Sequence, residues 1–488
     1  MARVVVIGAG ISGHTAAINL KHKLKKSNEV IVISPNSLYQ WIPSNIWVGT
    51  GHMTAEQVIF PLSIPYKKLK IDFRHAYARS IHPDGDSKSD KGFVRIEYVD
   101  SGKFEDLQYD YLINSTGPKL NFDATEGLGP NKSGTLSICT YEHATQAWGE
   151  LQKIIDKMKK GQKQKIVIGL GNGGATCQGA AVEYVLNVAN LIKSKGLENM
   201  ADINYITNEF MVGDLGMGGA YVRNNGYVAH TKNIIESLFT EFGIKWHTKN
   251  SVYKVEPGKI FYEHIDGEEK VLEYDFSMLI PPFSGVGLKG IDKQGNEITD
   301  GSLFKPNGLM TVDADYSSAS KPYHEWSGED WPSRLQNPTW KNIFATGIAF
   351  APPHSISKPR TTPSGRPLTP APPRTGMPSA VMGNAVATNV ADLINNNKPL
   401  DGKLKINASM ARFASICVVS MGYGFRGIAG TMSVYPTIPD FKKYPDFGRD
   451  IEYTMGEPGI AGHWFKWVMH YVFMYKAKAN PGWYLIPD

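Results

Sequence analysis

An unbroken apolar run, Val4 to Ile7, ends in a cluster of glycines, gives way to small residues around Thr15, Ala16 and Ala17, and is followed by a second apolar run, Val30 to Ile33. Strands buried on both faces read as continuous apolar runs, and a helix packed close to them needs small residues, so this pattern predicts a βαβ unit. The pattern returns at Lys165-Ile-Val-Ile-Gly-Leu-Gly-Asn-Gly-Gly-Ala-Thr-Cys177, with a helix expected through about Ile192, and the repeat predicts an internal duplication. Short strands are expected between 71 and 114 and again at Lys341 to Ala349. The proline-rich stretch from 351 to 376 excludes helix and central strand, so a long extended loop is expected there, placed as a lid over a pocket. Near the C-terminus, Trp464, Trp467, Val468, Tyr471, Val472 and Tyr475 recur at helical spacing and form one face. Phe465, Met469 and Phe473 widen that face, leaving a narrow strip of His463, Lys466, His470 and Ala477.

The glycines sharpen this outline. Gly8, Gly10 and Gly13, and later Gly169, Gly171 and Gly174, each give G-x-G-x-x-G between a buried strand and a helix. That spacing lets the backbone turn tightly, approach a pyrophosphate and pack the helix on the strand, with the positive helix end aimed at the phosphate. With 488 residues, two or three domains are expected. A net charge of +6 without a basic tail argues against nucleic acid. The first strand begins two residues after Met1 and no uncharged apolar run reaches 18 residues, so neither a general secretory signal nor a membrane span is expected.

Cys139, Cys177 and Cys417 lie too far apart for a disulfide scaffold or a metal site of close-spaced ligands. Cys177 is expected in the first turns of the helix opened by Gly174, where the positive helix end lowers a thiol pKa. Cys139 and His143 are four apart, on one face if the chain is helical from Thr140. Glu183 follows Cys177 by six residues on the same expected helix.

Asn114-Ser-Thr-Gly-Pro118 resembles the second phosphate-side signature of two-dinucleotide-domain flavoproteins, and Gly347-Ile348 resembles the end of their returning strand, with Ile348 where most relatives have aspartate. Ser34 ends the second strand where an acid is usual. Pro43-Ser44-Asn45, Ser137-Ile-Cys-Thr-Tyr-Glu-His-Ala144, Cys177-Gln-Gly-Ala-Ala-Val-Glu183, Gly213-Asp-Leu-Gly-Met-Gly-Gly219 and Ser415-Ile-Cys-Val-Val-Ser420 complete a likeness that runs along nearly the whole chain. On these residues the chain resembles the sulfide:quinone oxidoreductase family. The resemblance implies an α/β fold with two Rossmann-like dinucleotide-binding domains. The FAD-binding one is discontinuous (1–145 and 330–392), the second spans 146–329, and a C-terminal amphipathic, quinone- and membrane-associating region spans 393–488.

The same resemblance implies FAD held by Gly8, Gly10, Gly13, Ser34, Pro43, Ser44, Thr116, Gly117, Gly347 and Ile348. It implies that a Cys177/Cys417 redox pair oxidises sulfide to polysulfide or elemental sulfur and passes two electrons through FAD to a membrane quinone. Cys139 and His143 are implied near the sulfide channel, and Glu183 in proton movement. Phe425, Tyr435 and Pro436 are expected quinone walls. The C-terminal helix is expected to rest on one membrane leaflet, making the chain a peripheral (monotopic) membrane protein on a side left open. A homo-oligomer is expected; a metal is not. Asp214 departs from the family, which has His there, and so alters the local charge. Three alternatives stand beside this reading: a type II NADH:quinone dehydrogenase with Glu209 as its ribose acid, the flavin subunit of a sulfide dehydrogenase, and a non-catalytic sulfur-binding flavoprotein.

Overall fold

The computed structural model describes residues 1–374 and 376–488. Thr375, where the helix after the proline-rich stretch was expected to open, lies outside the described residues. In chain order the elements that position the site are β1 (Arg3–Ile7), α1 (Ile11–Lys23), β2 (Glu29–Ser34), β3 (Asp72–His82), β4 (Phe93–Tyr98), β5 (Phe104–Gln108) and β6 (Tyr111–Asn114). Next come α2 (Tyr141–Lys159), β7 (Gln164–Leu170), α3 (Gln178–Ser194), β8 (Ala201–Ile206), β9 (Tyr221–Asn224), β10 (Tyr227–His230), β11 (Lys245–His247) and β12 (Phe276–Ile280). The rest are β13 (Ile343–Ala345), α4 (Met377–Asn395), β14 (Ser415–Tyr423), β15 (Arg426–Val434), β16 (Met455–Gly459) and α5 (Ile460–Ala477).

The first sheet has the order β13-β6-β1-β2-β3-β4-β5, parallel from β13 to β3 and antiparallel beyond. Val4, Val5 and Val6 are wholly buried because both faces of β1 are covered, which accounts for the absence of alternation in its sequence. Strand β13 arrives from more than two hundred residues downstream to pair with β6. Helix α1 is buried from Ile11 to Leu20, and a Cβ on Gly383 of α4 would crowd the Ser12 backbone, so small residues let the two helices approach. The second sheet, β11-β8-β7-β12, is parallel throughout.

A third sheet runs β10-β9-β16-β15-β14. The β9–β10 hairpin, inside the stretch expected to form the second domain, joins this C-terminal sheet through the pairing of Arg223 with Met455. Helix α5 packs across β15 and β14. Residues 351 to 374 contain neither helix nor ladder strand, as the prolines require, and contact the turn at 173–176 and Asp214.

Candidate active site

The dinucleotide cradle is assembled by three segments far apart in sequence. The Ser12 hydroxyl donates to Thr346 Oγ1 at 2.8 Å and the Ser115 hydroxyl pairs with the same oxygen at 2.6 Å, so the start of α1, the end of β6 and the end of β13 meet at one point. Gly8 has φ +96, and a Cβ there would overlap the Ser115 carbonyl; a Cβ on Gly13 would overlap the Gly8 carbonyl. Gly10 differs, because a Cβ built on it meets nothing within 4 Å. Two glycines thus close the packing, and the third faces open space at the N-cap of α1, where backbone N–H groups and the helix dipole favour a pyrophosphate.

The other expected cofactor residues fall around this point with different degrees of availability. Gly117 (φ +71) is open on its Cβ side, Thr116 donates its N–H to Asn114 Oδ1 at 3.2 Å, Gly347 has φ +66, and Ile348 is buried. Ser34 is buried and its hydroxyl exchanges hydrogen bonds with the backbone of Asn36, so it is spent on a local turn. Pro43 and Ser44 form a short 3-10 turn, and the Ser44 hydroxyl bonds His470 Nδ1 of α5 at 2.9 Å. The set fits a dinucleotide at the first fingerprint.

On the opposite side, α3 starts at Gln178, later than the spacing of the second fingerprint led us to expect, and Cys177 is its N-cap residue in the left-handed region (φ 70, ψ 36). A non-glycine residue held there costs about 1–3 kcal/mol and marks a position fixed by its surroundings. Burial, and then the neighbouring charge of Cys177, push the Cys139 thiol up to about 12. Helix α2 begins at Tyr141 behind an N-cap at Thr140, so Cys139 precedes the helix and does not share a helical face with His143. Ser137 joins them instead: its hydroxyl accepts the Cys139 N–H at 3.3 Å and pairs with His143 Nδ1 at 2.8 Å. Burial holds His143 below the usual histidine range.

Cys417 lies on β14, an edge strand whose outward backbone groups are taken by side chains rather than by another strand. Glu183 accepts the Ser420 N–H at 3.0 Å, Asn187 accepts the Gly422 N–H at 3.1 Å and donates to the Ser420 carbonyl, and Trp47 donates to the Gly422 carbonyl at 3.0 Å. Helix α3 therefore runs along this edge in the direction of β14. Six residues back from Glu183 is about 9 Å of helix, and three back from Ser420 is about 10 Å of strand. Cys177 and Cys417 accordingly stand at matching levels. The Ser420 hydroxyl meets His463 Nδ1 of α5 at 2.6 Å, so strand alternation turns Cys417 to the face away from α5.

Two charged residues that the sequence did not single out complete this side. Lys466 of α5 forms a buried ion pair with Glu183 and also reaches the Val418 carbonyl at 3.4 Å. Burial pushes the Glu183 carboxyl upward, opposed by Lys466 and the Ser420 N–H. Burial and then the Glu183 charge push the Cys417 thiol up to about 11. Arg449 is buried and donates to the carbonyls of Pro436, Gly219, Met217 and Thr437, tying the 213–219 loop to the end of β15. Asp214, raised by burial, accepts from the Ser357 hydroxyl at 2.6 Å. Its place with His463 and His470 in the narrow strip opposite the aromatic face was the one available signal for Lys466.

The expected quinone residues are not brought together. Phe425 is exposed at the β14–β15 turn, against Trp467, whereas Tyr435 and Pro436 follow the far end of the nine-residue β15, with Tyr435 against Tyr453. They cannot line one pocket, because an extended strand of that length separates them by roughly 30 Å. Helix α5 itself is inverted relative to a water-facing helix. His463, Lys466, His470 and Lys476 are buried, while Trp464, Phe465, Val468, Tyr471 and Tyr475 are exposed. Each inward polar group has a partner: His463 Nε2 donates to the Gly424 carbonyl at 3.0 Å, His470 meets Ser44, and Lys476 pairs with Asp488. Among the described residues, no helix is long and apolar enough to cross a membrane.

Over 475 residues, 97% of this chain and 91% of the relative, the sequence is 28% identical to the sulfide-quinone reductase of Aquifex aeolicus. The X-ray structure of the sulfide:quinone oxidoreductase of that organism superposes with a TM-score of 0.74, covering 98% of this chain and 92% of the other. The mitochondrial sulfide:quinone oxidoreductase of Dictyostelium discoideum is 22% identical over 285 residues, 57% of this chain and 56% of the relative. The fold also matches NDH2 of Plasmodium falciparum at 14% identity with a TM-score of 0.63, covering 98% and 96% of the two chains. The family model described as pyridine nucleotide-disulphide oxidoreductase matches residues 2–281, more than half of the chain, and this protein belongs to that family.

Proposed function

We propose that the chain is a sulfide:quinone oxidoreductase: it oxidises sulfide at Cys177 and Cys417, passes two electrons to FAD, and from there to a quinone in the membrane. The observation that carries the proposal is the placement of Cys177 at a strained N-cap beside the level of Cys417 on an edge strand, in a chain similar end to end to the Aquifex aeolicus sulfide-quinone reductase. Hydrosulfide attacks one sulfur of a bridge between the two cysteines. The S–S bond breaks, the attacked cysteine becomes a persulfide, and the other leaves as a thiolate. Closing the bridge again around the added sulfur releases one proton and two electrons, and repetition lengthens the sulfur chain. FAD, when bound at the first fingerprint, supplies the two-electron acceptor between these sulfurs and the quinone. Gly8 and Gly13 keep the cradle closed on its packed side, Gly10 leaves the phosphate side open, and the start of α1 orients the pyrophosphate. Glu183 takes the released proton, a role supported by its position beside the cysteine strand and by burial that raises its carboxyl.

The exposed aromatic face of α5 supports peripheral attachment to one leaflet, since Trp and Tyr with flanking Lys478 suit the headgroup boundary and a patch this apolar is costly in water. Subunit number, expected to exceed one, is read from light scattering in detergent. The test of the reaction is anaerobic stopped-flow absorbance of the yellow protein. Sulfide should bleach the flavin and decylubiquinone should restore it. Bleaching by NADH with indifference to sulfide would reject the proposal in favour of the dehydrogenase alternative.

A further inference from the structure

The two glycine fingerprints have parted in conformation. After Gly8 the helix opens at Ile11, whereas after Gly169 it opens only at Gln178. Residues 171–177 form a non-helical turn, so the N–H groups that α1 lines up for a phosphate are not aligned over the second fingerprint. The proline-rich stretch fills the place. A Cβ on Gly173 would overlap the Pro367 carbonyl oxygen, Ala371 donates its N–H to the Ala175 carbonyl at 3.3 Å, and the Thr176 hydroxyl donates to the Ala371 carbonyl at 2.8 Å. On the other flank, Leu128 packs against Gly171 and the Thr125 hydroxyl donates to the Gly171 carbonyl at 2.7 Å.

The acid beyond β8 is also withdrawn. Glu209 is wholly buried and accepts from the Thr207 hydroxyl at 2.7 Å, the Tyr205 hydroxyl at 3.1 Å and the Leu215 N–H at 2.6 Å, so it is turned into the protein and does not face a ribose. The stretch is tied at its outer end by Glu263, a buried carboxylate that accepts from Thr362 at 2.7 Å and also holds Ser364 and Arg366. Ser357 anchors the inner end on Asp214.

We propose that residues 366–373 are an internal strap seated in the second dinucleotide site, closing it to NADH and NADPH and holding the 173–177 turn unwound so that Cys177 stands at the N-cap of α3. Both effects come from one set of contacts, because the bonded residues Ala175 and Thr176 immediately precede Cys177. Refolding that turn as helix would carry Cys177 into the helix body, and a strap that left would uncover the glycines.

The test is a titration with millimolar NADH, read by nucleotide fluorescence, together with amide hydrogen exchange at 175–177 and 371. The unaltered holoprotein should show no saturable binding and no change in protection at Ala371. Replacing 366–373 by a Gly-Ser linker, which removes Ala371 and its two bonds to the turn, should tighten NADH binding at least about tenfold and speed exchange at 175–177. If that variant does not fold, Glu263→Gln combined with Arg366→Ala releases the anchor without shortening the chain and should shift NADH binding in the same direction. Saturable NADH binding by the unaltered protein, or a folded unstrapped variant that still ignores NADH, overturns the proposal. Neither readout involves sulfide, so the strap and the sulfide:quinone reading stand or fall separately.

Discussion

Replacing Lys466 by methionine strips the Glu183 carboxylate of its cation where both side chains are more than nine-tenths buried. Removing one partner of a buried pair costs about 3–5 kcal/mol, while exchanging both for uncharged groups of similar size is close to neutral. The loss has a definite pH dependence. Burial already raises the Glu183 pKa, and without Lys466 it rises further. A raised carboxyl is neutral in the fold at acid pH, so the deficit of Lys466→Met is small there and grows as the pH climbs through the raised pKa. Glu183→Gln leaves Lys466 as the unpaired charge instead. The assay is the rate of unfolding in a fixed concentration of urea, followed by tryptophan fluorescence because Trp47 lies near Lys466. Each single variant should unfold faster, by a factor of somewhat over a hundred if about 3 kcal/mol appears in the unfolding rate. The double variant Glu183→Gln with Lys466→Met should recover most of that loss. Additive losses in the double variant would refute the pairing as the source of stability.

Gly10→Ala should fold without strain, since its Cβ meets nothing in the protein, but should lose FAD; the flavin-to-protein absorbance ratio checks this against unchanged far-UV circular dichroism. Glu209, raised to about 8 by burial and then by Asp214, contributes stability that is complete below its ordinary value of 4.5 and is lost as the pH rises to about 8, so Glu209→Gln should flatten the fall of melting temperature across that window. Trp464→Glu with Phe465→Glu should weaken binding to lipid vesicles at least about tenfold, since each exposed ring contributes on the order of 1.5–3 kcal/mol when buried; flotation on a density gradient reads it, with sulfide bleaching of the flavin unchanged.

The parts of the fold governed by local pattern were legible in the chain. Val4–Ile7, Val30–Ile33 and Lys165–Leu170 became parallel strands because continuous apolar runs have few other homes, and the glycine spacing placed a helix between the first two. The start of α3 was not legible, since the strap contacts that unwind 171–177 come from residues almost two hundred positions away. Helical periodicity found α5 and its aromatic face, but it does not tell which face the protein buries. The polar strip turned inward because Ser44, Glu183 and Ser420 wait there as partners, each remote in sequence. The same remoteness hid the Glu183–Lys466 pair, whereas the grouping of Phe425 with Tyr435 and Pro436 failed because the short segment between them is one extended strand.

Under the proposed reaction Cys177 and Cys417 share one sulfur chemistry, which is read by peptide mapping of the anaerobic, sulfide-treated protein, digested without reductant. A peptide pair joining Cys177 to Cys417 through two or more sulfurs is expected, absent from Cys177→Ser and Cys417→Ser, with Cys139 outside the bridge. A bridge from Cys177 to Cys139, or sulfide oxidation that proceeds at full rate with Cys417 replaced, would contradict it.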